Sequence, residues 1–253
     1  IHMAPRKELN FFSLEENWAR GRSWYEQQFA GAGDTIAVGE ATPKYTWYPM
    51  VPGVPERIAA TVPDVKLVYL MREPVERMRS EYAYRYARAW EHRPIREALS
   101  TDADYRHRSS YAMQIGQYLE RFDRSKILLI VAEDLRDRRA ETVRRTLEFL
   151  GVRSDWVPPS IGVEANPPSD RRPTWLFRKI GRAMFKTEAA MGRPSPTRRR
   201  VSPRLQRLMS RPIPREKLAL DDATRAKLRD LMRSDVAKLA PLMPPGFDGW
   251  GLL

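Results

Sequence analysis

Five consecutive apolar residues, Leu67-Val68-Tyr69-Leu70-Met71, run straight into Arg72-Glu73-Pro74. A short apolar run of strand-favouring types predicts a buried strand over residues 66–71. Two further runs of this kind predict strands over 35–38 and 126–132. Helical spacing of apolar positions fills the intervals, at 18–29, 55–62, 75–90, 111–122 and 142–150. In the fourth of these, Tyr111, Ile115, Tyr118, Leu119 and Phe122 share one face, and Gly151 supplies the stop after the fifth. Strands alternating with helices predict an α/β domain with a parallel sheet flanked by helices on both faces.

The pattern changes after Gly151. Pro158-Pro159 and Pro167-Pro168 mark a connector. A basic amphipathic helix is predicted over 174–186, and an amphipathic helix over 221–239. The Pro- and Gly-rich tail 241–253 is expected to dock back on the core through Trp250. The expected organisation is one domain over 1–253, with a core at 1–151 and a basic helical C-terminal extension and tail at 152–253. No internal repeat is present.

Composition narrows the chemistry. The net charge is +13, and residues 170–217 hold fifteen Lys/Arg against the acids Asp170, Glu188 and Glu216. Charge of that sign calls for an anionic partner: nucleotide, nucleic acid, acidic lipid or sulfated sugar. With no cysteine, disulfides, zinc–thiolate sites, iron–sulfur clusters and a cysteine nucleophile are excluded. His2, His92 and His107 have no metal-ligand spacing, so no metal site is expected. No run approaches the roughly 18 apolar residues of a membrane span, and no signal-peptide core opens the chain. The expected location is cytoplasmic, with membrane-surface contact left open by the basic helix.

Candidate chemistry gathers at strand ends. Arg72 ends the strand over 66–71, Pro74 suits the first turn of the helix that follows, and ligands of open α/β sheets bind at such places. Arg72 with Ser80, about two turns into the helix, forms a candidate anion clamp, and Arg77 shares a face with Ser80. The structural alternative is an Arg–carboxylate ion pair and an ordinary helical serine. Glu40, after the strand over 35–38, is placed as a general base; its alternative is a cap or a surface acid. Lys7-Glu8-Leu9-Asn10-Phe11-Phe12 reads by itself as a loop anchored by aromatic burial.

Taken in order, these segments resemble sulfotransferases that use 3′-phosphoadenosine 5′-phosphosulfate. The series is Lys7-Glu8-x-Asn10-Phe11-Phe12, Trp24-Tyr25, Gly39-Glu40-x-Thr42-Pro43-x-Tyr45, Arg72-x-Pro74-x-x-Arg77-x-x-Ser80-x-Tyr82, Glu133-Asp134-Leu135 and Phe149-Leu150-Gly151. It is most similar to the subgroup of heparan sulfate sulfotransferases and their bacterial relatives. The resemblance covers roughly residues 7–151 and implies a sheet like that of the P-loop nucleotide kinases. It implies Arg72 and Ser80 as ligands of the donor's 3′-phosphate and Glu40 as catalytic base. Lys7 and Glu8 would line the acceptor cleft, and Lys44 is grouped with them as an acceptor-side residue. Gly192-Arg193-Pro194-Ser195-Pro196 is faintly similar to the Gly-Arg-x-x-Pro loop that closes over the nucleotide, which makes Arg193 a donor-side candidate; a solvated basic loop is the alternative. Asn10 departs from the His common in the heparan sulfate enzymes. The family's Lys-x-Gly-Thr-Thr type donor loop does not occur in the sequence, and with Ile1 an unnatural start, that segment is expected upstream of the residues given.

The implied function is transfer of a sulfuryl group from 3′-phosphoadenosine 5′-phosphosulfate to a hydroxyl or amine of a carbohydrate, lipid or small molecule. The nucleotide is a co-substrate, and fixed cations rather than a metal are expected to stabilise the developing charge. The alternative is a catalytically idle relative that binds nucleic acid or acidic lipid through 170–217. Sparse aromatics there argue against a nucleic-acid platform. A nucleotide-dependent kinase is disfavoured because no Gly-x-x-x-x-Gly-Lys-Ser/Thr loop is present.

Overall fold

The computed structural model describes residues 1–156, 161–162, 171–173 and 210–253. Two compact units are distinguished: one comprises Ile1–Arg77, Ala103–Val163 and Ala226–Leu253, the other Met78–Asp102 and Glu164–Arg225.

The first unit is an α/β assembly. Strand β1 (His2–Met3) pairs in parallel with β2 (Val38–Gly39), and β3 (Leu67–Met71) pairs in parallel with β4 (Ile127–Val131), with Leu67 opposite Ile127 and Met71 opposite Val131. Helices α1 (Glu15–Trp18) and α2 (Gly21–Gln27) precede β2, and α3 (Val54–Thr61) precedes β3. Helix α4 (Pro74–Ala87) starts where β3 ends, with Pro74 in its first turn and the Glu73 carboxylate accepting from the Glu76 N–H at 2.6 Å. After α5 (Ile95–Thr101) and α6 (Ala103–His107) come α7 (Tyr111–Leu119), then β4, α8 (Ala132–Asp137) and α9 (Arg139–Leu150). Gly151, at φ 76°, ends α9: its N–H donates to the Glu148 carbonyl and that of Val152 to the Leu147 carbonyl, a Schellman closure. Strands β5 (Arg171–Pro173) and β6 (Ser210–Pro212) pair antiparallel in the second unit, and α10 (Asp222–Leu239) leads into the tail.

One core serves the first unit. Leu9, Phe11, Phe12 and Tyr25 from the N-terminal segment meet Ile58 of α3, Met71 of β3, the Tyr111–Ile115–Tyr118 face of α7, and Ile127 and Leu129 of β4. Phe11 lies at the centre of a ring cluster, 4.7 Å from Tyr25 and 4.9 Å from Phe12 between centroids. Trp250 packs on this core from the tail, as its sequence context predicts. The turn that delivers it has three successive left-handed residues, Gly249, Trp250 and Gly251. A Cβ at Gly249 would run into Leu253 and Val236, so only glycine fits there.

The sheet differs from the expectation. Among the described residues there are two separate two-stranded parallel pairs and one antiparallel pair, not one continuous parallel sheet. The strand predicted at 35–38 shrinks to Val38–Gly39, with Ile36 86% exposed. In β3, Val68 and Leu70 are exposed while Met71 is buried, so this apolar run covers one face and leaves the other open. Only β4 is buried nearly throughout. An apolar run is compatible with burial on either one face or two, and the run alone does not choose. The helix predicted at 18–29 is two short helices broken at Ala19–Arg20.

In the second unit, the described residues centre on an ion cluster. Arg93 donates to both oxygens of buried Glu91 and to Asp102 at 3.0 Å. Those hydrogen bonds from Arg93 hold the Glu91 carboxyl down at about 2. Arg193, the Arg198–Arg200 run and the helix predicted at 174–186 lie outside the described residues.

Candidate active site

Two corners of the first unit carry the sequence candidates. The first is the turn after β2. Glu40 leaves the strand and enters a 3₁₀ turn, Pro43–Thr46, whose hydroxyls fold back onto it. The Tyr45 hydroxyl donates to one Glu40 oxygen at 2.7 Å and the Thr42 hydroxyl to the other at 2.9 Å. The Tyr25 phenol of α2 also acts on this carboxylate. Burial pushes the Glu40 carboxyl above its ordinary range, and the three hydroxyls pull back against that rise. The phenols of Tyr25 and Tyr45 are pushed upward, first by burial and then by the neighbouring Glu40 charge, so both stay protonated donors.

The segment bearing Lys7 and Glu8 is tied to this turn. The Asn10 N–H donates to Thr42 Oγ1 at 3.3 Å, so Thr42 connects the loop to the carboxylate. Glu8 and Asn10 both take left-handed backbone conformations, φ 56° and 54°, and the Asn10 amide donates to the Glu8 carbonyl at 2.7 Å. Such strain in non-glycine residues concentrates at functional loops. The Lys7 and Glu8 side chains are exposed. Lys44 sits 5.5 Å over the Trp47 ring, and Arg108 stacks on the same ring at 3.7 Å, so Trp47 gathers two cations beside the turn.

The second corner follows β3. Arg72 is 43% exposed along its side chain, and its nearest carboxylate, Glu76, is 3.9 Å away, the long limit of an ion pair. Its peptide group is held far more firmly. The Arg72 N–H donates to the Tyr111 hydroxyl at 3.2 Å, and that hydroxyl donates to the Arg72 carbonyl at 2.7 Å. The Glu73 N–H donates to Glu133 at the start of α8, and Arg229 of α10 donates to the Glu73 carboxylate at 3.1 Å. Glu133 also accepts from the Trp250 indole at 3.3 Å. The Glu73 carboxylate itself accepts from the Glu76 N–H in the first turn of α4. Arg77, one turn into α4, donates to the Ser109 hydroxyl at 3.2 Å. Ser80 is exposed on α4 within the second unit.

The two corners are linked through α7. Tyr69 of β3 lies three residues before Arg72. Burial pushes the Tyr69 phenol up to about 12. Tyr118 of α7 donates to the Tyr45 carbonyl at 2.7 Å, so α7 holds both corners, one through Tyr111 and one through Tyr118. Tyr25, Thr42 and Tyr45 were legible as motif members but not as ligands of Glu40. Tyr111 was legible only as a core position, because a tyrosine on an apolar helix face signals burial and not the target of its hydroxyl.

Residues 54–161 match the family model described as Sulfotransferase domain. The chain is 29% identical over 154 residues to heparan sulfate glucosamine 3-O-sulfotransferase 6 of Homo sapiens, covering 58% of this chain and 44% of that protein. It is 33% identical over 76 residues to heparan sulfate glucosamine 3-O-sulfotransferase 5 of Mus musculus, covering 30% of this chain and 21% of the relative. It therefore spans less than half the length of these curated relatives. The crystal structure of a sulfotransferase from Alicyclobacillus acidocaldarius superposes with a TM-score of 0.56 at 28% identity, covering 76% of this chain and 86% of that one.

Proposed function

This chain belongs to the sulfotransferase family, and from that premise we propose that it transfers a sulfuryl group from 3′-phosphoadenosine 5′-phosphosulfate to an acceptor hydroxyl or amine. The observation that carries the reading is the pairing of chemistries at two linked strand ends: a desolvated carboxylate at Glu40 and a guanidinium at Arg72 with a long, weak internal partner. Arg72 takes the donor's 3′-phosphate; Ser80 is assigned to the donor on the resemblance alone. The donor supplies the sulfuryl group and a phosphate leaving group. Glu40 accepts the acceptor's proton as the acceptor–sulfur bond forms and the bond from sulfur to the phosphate oxygen breaks. A carboxyl raised by burial is a stronger base than a solvated one, and its hydroxyl partners fix the direction of its oxygens. Lys7, Glu8 and Lys44, beside the same turn, face the acceptor side, and the acceptor is a carbohydrate, lipid or small molecule. Arg193 is assigned to the donor on the resemblance alone.

A second placement of the base rests on a specific observation. Both Glu40 oxygens already accept hydroxyl hydrogen bonds, whereas Glu8 lies exposed on strained backbone, tied to Glu40 only through Asn10 and Thr42. Glu40 would then hold the turn and Glu8 would take the proton. Two measurements test the function. The bisphosphate product, 3′-phosphoadenosine 5′-phosphate, should raise the melting temperature of the full-length protein, and sulfate from labelled donor should appear on a hydroxylated or aminated acceptor. No thermal shift with the bisphosphate would sink the donor assignment. Glu40→Gln and Glu8→Gln compared side by side identify the base.

A further inference from the structure

Strand β3 ends at Met71, so the polar peptide groups of Arg72 fall beyond the ladder with β4. A single side chain takes both of them: the Tyr111 hydroxyl accepts from the N–H and donates to the carbonyl. Tyr111 is 2% exposed, with its ring edge-on to Tyr69 at 5.9 Å and against Trp250 at 5.9 Å, so the hydroxyl cannot swing away without moving the core. The helix that carries it is itself fixed at its first turn. Ser110, in the N-cap position, makes no capping hydrogen bond; Asp235 of α10 instead accepts from the Ala112 and Met113 N–H groups, each at 3.0 Å. Two of the N–H groups that a helix start leaves unpaired are thus served by a carboxylate more than 120 residues downstream.

We propose that Tyr111 is a positioning residue for Arg72, fixing the peptide from which the guanidinium reaches the donor phosphate, and that Asp235 fixes Tyr111 in turn. The inference rests on the reading of Arg72 as a donor ligand. Its physical basis is leverage. The guanidinium lies at the end of a long side chain, and a small rotation of the Arg72 peptide displaces it by an ångström or more, which is enough to degrade a charge-assisted contact. Glu133 and Arg229 brace the neighbouring Glu73, but Tyr111 alone among the described residues bonds both peptide groups of Arg72.

The test is calorimetric binding of 3′-phosphoadenosine 5′-phosphate to the full-length protein and four variants, with donor kinetics in parallel. Tyr111→Phe keeps the ring and removes only the hydroxyl; it should weaken bisphosphate binding about three- to tenfold. It should also raise the donor KM while leaving kcat nearly unchanged, because the Arg72 contact serves ground and transition states alike. Asp235→Asn should act in the same direction and less strongly. Tyr118→Phe is the control: it deletes an equally buried hydroxyl on the same helix, bonded to the Tyr45 carbonyl instead, and should leave bisphosphate affinity as in the wild type. Arg72→Ala separates the layers. If it weakens binding and Tyr111→Phe does not, the positioning role is wrong and the clamp stands. If Arg72→Ala binds like the wild type, the clamp reading and the positioning role fall together. Equal losses in Tyr111→Phe and Tyr118→Phe would mean a loosened core and overturn the proposal. Should Tyr111→Phe fail to fold, an unchanged affinity in Asp235→Asn would overturn it as well.

Discussion

The turn at Glu40 and the corner at Arg72 solve opposite problems with the same kind of tool. Around Glu40 the hydroxyls of Tyr25, Thr42 and Tyr45 address the side chain, so the carboxylate is fixed and partly desolvated. Around Arg72 the hydroxyl of Tyr111 addresses the main chain, and the guanidinium stays 43% exposed. Under the proposed roles, a base gains from fixed oxygens, and a phosphate ligand gains from a fixed root and a free tip. Helix α7 contributes one buried phenol to each corner.

The comparison can be broken most directly at the carboxylate. A general base contributes roughly 10²–10⁴-fold, so Glu40→Gln should lose turnover by that factor while bisphosphate affinity holds. If Glu8→Gln shows the larger loss, the fixed carboxylate is scaffolding and the exposed one is the base. Next in size is the free tip. A charge-assisted hydrogen bond is worth roughly 1.5–3 kcal/mol, so Arg72→Ala should weaken bisphosphate binding about tenfold or more in a titration, with the melting temperature of the unliganded protein little changed. A large drop in that temperature would mean the side chain is structural after all.

A smaller effect sharpens the first corner. The Tyr45 hydrogen bond favours the charged form of Glu40, opposing the rise caused by burial. Tyr45→Phe removes it, so the Glu40 carboxyl should titrate at still higher pH. Because the base must be deprotonated, the acid limb of kcat/KM should move upward. A pH–rate profile with an unmoved acid limb would show that Glu40 is not the group being titrated.

Much of this was legible in the sequence, and the boundary has a physical cause. The β3 strand, the helix opened by Pro74, the amphipathic face of α7 and the stop at Gly151 all follow from local rules, and each lies within a residue or two of its expected place except where helices fray early. The placement of Glu40 and Arg72 after strands was equally readable. What could not be read was the identity of their partners. The hydroxyl of Tyr111 reaches across 39 residues, that of Tyr118 across 73, and the Asp235 carboxylate across more than 120. No periodicity encodes such pairings. The parallel pairing follows from the sequence, but its burial on one face or two does not: Val68 and Leu70 are as apolar as buried residues, and whether anything covers them depends on chain far away.

Those long spans bear on when the Arg72 corner can exist during synthesis. Residues 67–131 supply the strand pair, Tyr111 and, two residues later, Glu133, yet the brace on Glu73 comes from Arg229 and the indole on Glu133 from Trp250. A nascent chain holding everything up to β4 therefore has the arginine but not its complete mount. Contacts so distant along the chain form late, after the loop-closure entropy of the intervening residues has been overcome. The Arg72 corner should accordingly acquire its full mount only once residues 229–250 have emerged and folded back onto it.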